Sequence, residues 1–191
     1  MTDNPENPVF ENDVFVSYSS KDYRWIEQTL LPVFDQNGIK YIIHSRDFVP
    51  GKAFYENMVD SVYNSKKVIV VLSMNYLASG FCKEEMRMAE HRCAERDDSS
   101  LIVVRIDNIK LRDVPKSLRH RTFIDYTSPE EASTWQNRVL EYVQSDINMS
   151  SSRSLDENLQ EKDTKRLILN SFRLKRKKRQ NVNRDLENQA S

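Results

Sequence analysis

Two short apolar runs limit how this chain can fold: the unbroken Val68-Ile-Val-Val-Leu72 and Leu101-Ile-Val-Val-Arg-Ile106, polar only at Arg105. A strand with one wet face alternates polar and apolar residues, whereas a strand covered on both faces needs no polar positions. Helices must therefore lie on either side of these two strands. The remaining pattern supplies them. Asp13-Val-Phe-Val-Ser-Tyr18, Ile39–Ile43 and Thr122–Asp125 read as three further strands. Between them, Lys21–Gln36 puts Trp25, Leu30, Val33 and Phe34 mostly on one helical face and stops at Asn37-Gly38. Residues 53–64 carry Phe54, Met58, Val59 and Val62, a longer helix is expected over about 75–95, and a last one over about 129–145 with Trp135, Val139 and Tyr142. Ser128-Pro129 offers that last helix a cap and a first-turn proline. Strands alternating with helices predict an α/β sandwich whose sheet is mainly parallel, with its working loops at the strands' carboxyl ends.

The alternation has limits. Residues 1–10 read as a disordered lead-in. From 146 to 191 Ser, Asn, Gln and charge take over, with eleven Lys/Arg against six Asp/Glu over 150–191. These ends explain a hydrophobic share of only 38%, below the roughly 45–50% usual for a globular chain. The tail is expected to be disordered or partly helical. Lys+Arg and Asp+Glu each total 29, a balance that argues against general nucleic-acid binding by the whole molecule. Cys82 and Cys93 are too few for a disulfide scaffold or an unaided metal site and fit a reducing compartment. No apolar run approaches a membrane span, and the first residues lack signal-peptide character. The expectation is a soluble cytoplasmic protein, or the cytoplasmic portion of a receptor if the chain has been cut from its span.

Glycines at 38, 51 and 80 are the only three, which excludes a Gly-rich dinucleotide loop and a phosphate-binding P-loop. A phosphoacceptor domain would want acids after the first strand and an Asp ending the third, where Ser17-Tyr18-Ser19 and Ser73-Met74-Asn75 stand. Three segments match something else. Asp13-Val-Phe-Val-Ser-Tyr18 resembles the first box of TIR domains. Arg46-Asp47-Phe48-Val49-Pro50-Gly51 resembles the second, the Arg-Asp-x-x-Pro-Gly of the BB loop. Trp135 resembles the aromatic of the third, with Thr134 in place of the usual Phe. Phe81-Cys82-Lys83-Glu84-Glu85-Met86 is similar to the Trp-Cys-x-x-Glu-Leu opening the αC helix. The chain is thus identified as resembling TIR domains of the Toll-receptor and adaptor type over residues 11–145. The resemblance implies a flavodoxin-like three-layer sandwich with a five-stranded, mainly parallel sheet. It also implies a signalling scaffold that assembles with other TIR domains and self-associates on activation.

In the loop 44–53, Pro50-Gly51 suits a turn, putting Arg46 and Asp47 on a projecting rim beside an exposed pair, Phe48 and Val49. Chemistry alone leaves a plain connecting loop and a docking finger equally open; the resemblance favours docking. Phe81, Cys82 and Lys83 form a second candidate surface. Met74, Met86 and Met88 read as packing residues. Glu85 sits where some TIR domains hold the glutamate that cleaves NAD at its nicotinamide–ribose bond. However, Ile43-His44-Ser45-Arg46 lacks the acid commonly found there in cleaving members, so NAD is expected as a substrate only in the alternative reading, and no cofactor in the first. His44 has no acid or nucleophile assigned beside it. Arg173, Lys175, Arg176, Lys177, Lys178 and Arg179 make six basic residues in seven, read as solvated chain, a nuclear-import signal or an anionic-lipid contact beneath the plasma membrane.

Overall fold

The computed structural model describes residues 10–80, 87, 88, 91, 100–119 and 121–145. Five strands, β1 (Asn12–Ser17), β2 (Tyr41–Ile43), β3 (Ser65–Leu72), β4 (Leu101–Arg105) and β5 (Phe123–Asp125), form one sheet in the order β2-β1-β3-β4-β5. Every pairing is parallel, which gives the doubly wound order of flavodoxin-like folds, with the switch point between β1 and β3.

The apolar runs divide between the two faces by strand parity. Phe15, Val68, Val70, Leu72 and Val103 point to one core, shared with Met58, Val59 and Val62 of helix α2 (Phe54–Tyr63). Val14, Val16, Ile69, Val71 and Val104 point to the other, shared with Ile26, Leu30 and Phe34 from helical stretch α1, residues 20–36, and Trp135, Val139 and Val143 from helix α4 (Trp135–Gln144). Between α2 and α4 a short helix α3 (Met74–Ala78) is started by the Ser73 hydroxyl, which accepts from the Tyr76 N–H at 2.8 Å.

The elements depart from their expected outlines in four places. α1 is not uniform: a 3-10 turn (Ser20–Asp22) and one helical turn (Tyr23–Trp25) lead into a π turn (Ile26–Leu30) before Leu31–Gln36. Pro32 lacks an N–H and crowds the preceding turn, and widening the helix accommodates it. α1 ends at the expected Asn37-Gly38, with Gly38 at φ 65° and the Ile39 N–H donating to the Phe34 carbonyl at 3.1 Å, a Schellman closure. The last helix begins at Trp135 rather than 129. There Glu131 reaches back to accept from the Asp125 N–H at 3.0 Å and pairs with Arg138, and the Ser128 hydroxyl is spent on Glu130 at 2.5 Å. Residues 129–134 consequently run as turns. The third departure is a helical turn at His44–Asp47 where open loop was expected. The fourth is Met74, which is exposed rather than packed, whereas Met88 is buried.

Candidate functional site

The loop that follows β2 is held at its root by side chains from within itself. The Ile43 N–H donates to Asp47 Oδ2 at 2.8 Å. Arg46 forks onto the same carboxylate, Nε to Oδ1 at 2.7 Å and Nη2 to Oδ2 at 3.0 Å, and its Nη2 also donates to the Tyr41 carbonyl at 3.0 Å. The guanidinium lies 4.6 Å from the Tyr41 ring centroid. The hydrogen bond to Asp47 pushes the Arg46 pKa up.

The tip is a type II turn. Pro50 fixes the first corner, Gly51 takes φ 82° at the second, and the Lys52 N–H closes onto the Val49 carbonyl at 3.2 Å. Asn57, buried one turn into α2, grips both shoulders of this turn. Its Oδ1 accepts from the Val49 N–H at 2.9 Å, and its Nδ2 donates to the Val49 carbonyl at 3.2 Å and the Lys52 carbonyl at 3.4 Å. Lys52 pairs with Asp60 of the same helix. Val49 is left 57% exposed at the apex.

Beneath the tip sits an aromatic platform. Phe48 meets Phe54 at 5.1 Å and His44 at 6.1 Å between ring centroids, and His44 stacks on Tyr18 at 4.3 Å. Phe48 is half-buried against the α2-side core. The expected exposed pair is therefore a single residue, because Phe48 turns inward to anchor the loop while Val49 points out. Arg46 and Asp47 likewise lie back along the strand rather than on a projecting rim. Burial pushes the His44 pKa down, and its Nδ1 is buried without a hydrogen-bond partner. Stacked on Tyr18 and flanked by Phe48 and Phe54, this imidazole serves as a packing group.

At the carboxyl ends of β1 and β3, the switch-point crevice is occupied by the protein's own polar groups. Asp22 accepts from the Ser73 hydroxyl at 2.5 Å and from Asn75 Nδ2 at 2.6 Å. Ser17 and Tyr76 share a hydrogen bond at 3.0 Å, as do Tyr18 and Ser45 at 2.7 Å. These bonds tie the first box, the loop after β2 and the start of α3 into one unit.

Six of the candidate docking residues, Arg46 to Gly51, thus belong to one loop, built as described. Trp135 belongs to the core instead, 4% exposed and set against Trp25 and Tyr126. Phe81, Cys82, Lys83, Glu85, Met86, Cys93 and the basic residues 173–179 lie outside the described residues. Sequence reasoning missed Asn57, whose one visible signal is a polar residue on the inward stripe of α2 beside Met58.

The sequence model of the TIR domain family matches residues 14–140. Human Toll-like receptor 1 is 33% identical over 126 residues, covering 62% of this chain and 16% of the receptor. Toll-like receptor 2 of Capra hircus is 30% identical over 136 residues, covering 65% of this chain and 17% of the receptor. The chain therefore spans about one sixth of the length of these relatives. Among solved structures, the TIR domain of the Toll-related receptor TRR-2 from Hydra magnipapillata superposes with a TM-score of 0.63 at 24% identity, covering 70% of this chain and 99% of that one, a likeness of fold. A TIR-STING receptor from C. gigas, solved with 2',3'-cGAMP, gives a TM-score of 0.60 at 25% identity over 73% of this chain and 41% of that one.

Proposed function

The chain belongs to the TIR-domain family, and from that premise we propose that it is a non-enzymatic signalling scaffold that docks on other TIR domains through the loop after β2. The observation that carries this reading is the construction of the loop. A type II turn gripped by Asn57 holds Val49 in the open at 57% exposure. Exposing an apolar side chain on a rigid support costs no ordering at the moment of binding, which is how docking anchors gain affinity. The Toll-like receptor relatives supply the partner class, another TIR domain on the cytoplasmic side of a membrane.

Pro50→His tests the reading. Histidine releases the φ constraint at the first corner and places a polar ring beside Val49. Capture of a Toll-like receptor TIR domain by the full chain is expected to weaken by about tenfold or more, the loss typical of an anchor residue, with the circular dichroism spectrum unchanged. Full-strength capture by a folded Pro50→His protein sinks the docking reading. Nicotinamide release from NAD by the oligomerised chain, abolished in Glu85→Ala, would replace it with the hydrolase alternative.

A further inference from the structure

Among the described residues strand β2 ends the sheet, paired to β1 on one side. Backbone groups along a strand face alternately to either side. The Val14 N–H donates to the Lys40 carbonyl at 3.1 Å, so Lys40 faces β1. By alternation the Tyr41 carbonyl and the Ile43 N–H face outward, where a further strand would bond. Both are already taken. Arg46 Nη2 donates to the first at 3.0 Å and Asp47 Oδ2 accepts from the second at 2.8 Å. The two side chains are fastened to each other by the fork described above, and the guanidinium rests on the Tyr41 ring. The helical turn His44–Asp47 is what folds them back onto the strand they follow.

An open strand edge is a template for unwanted pairing with another chain. We propose that Arg46 and Asp47 form an edge cap: they act through β2, occupying the Tyr41 carbonyl and the Ile43 N–H on its outer side and fixing the root of the loop, and leave partner contact to Val49 and Pro50. The pair is a positioning unit rather than a docking contact. The division of labour rests on the docking reading; the cap itself does not.

The experiment measures amide hydrogen exchange at Ile43 in the full chain, alongside capture of a Toll-like receptor TIR domain. In Asp47→Ala the Ile43 amide is expected to exchange about tenfold faster, the scale of one lost hydrogen bond to a charged group. Asp47→Asn keeps one acceptor oxygen for the Ile43 amide while losing an arm of the Arg46 fork, so Ile43 exchange should stay closer to wild type than in Asp47→Ala. Val49→Ser should lose capture with Ile43 protection unchanged. Arg46→Ala is the second variant, read as a chemical-shift change at the Tyr41 carbonyl. Unchanged Ile43 exchange in Asp47→Ala, or an unmoved Tyr41 carbonyl in Arg46→Ala, overturns the cap. So does Ile43 exchange in Asp47→Asn as fast as in Asp47→Ala, because the acceptor oxygen would then not be what holds the amide. Wild-type capture by Val49→Ser overturns the docking reading alone, and the cap then stands on the exchange result.

Discussion

His44 carries a consequence for acid stability. It is stacked on Tyr18 and enclosed by Phe48 and Phe54, and burial lowers its pKa from the ordinary 6.5. The folded state therefore prefers the neutral ring. Its contribution is complete above the unfolded value and is lost as pH falls from there through the lowered folded value, since the unfolded chain then binds the extra proton. Between pH 7 and pH 5 the urea midpoint of the wild type is expected to fall. His44→Gln should flatten that decline, and a decline of the same size in His44→Gln would mean that another group senses the acid. The loop's platform weakens in the same window, so docking should weaken with it.

At the scale of elements, the loop after β2 is governed from α2. In Asn57→Ala the Val49 N–H loses its acceptor and the two carbonyls lose their donor. The expected cost is about 1–3 kcal/mol, concentrated in the loop, so Val49 exchange should accelerate while β3 amides stay protected. Uniform acceleration across both would contradict a local clamp. The loop also marks where the sequence stops being readable. Pro50-Gly51 announces its turn because proline and glycine constrain the backbone by themselves. Asn57 does not announce its grip, since a side chain that reaches across to another element has no period. The same holds for Phe48, whose inward turn depends on Phe54 and the core beneath. Ser128-Pro129 misled for a related reason: a cap pattern is local, and the Glu131 bonds to Asp125 and Arg138 override it.

For the whole molecule, the five strands and both covered faces were legible, because burial on two sides leaves so clear a mark in β3 and β4. The third box finds its meaning here. Trp135 closes the layer formed by α1 and α4, meeting Tyr126 at 5.4 Å and Trp25 at 6.2 Å. Trp135→Ala should cost about 3–5 kcal/mol, a large share of the roughly 5–15 kcal/mol that holds a domain together. A urea midpoint within error of wild type would exclude this role. The strand order sets one more condition, on the time course of folding. Parallel neighbours cannot start as a hairpin, and the ion pair between Asp13 and Lys66, alongside the β1–β3 seam, joins residues 53 apart. Closing so long a loop precedes the contacts that reward it, which slows folding. During synthesis β1 can first meet only the three-residue β2, and its other flank stays open until Leu72 has left the ribosome.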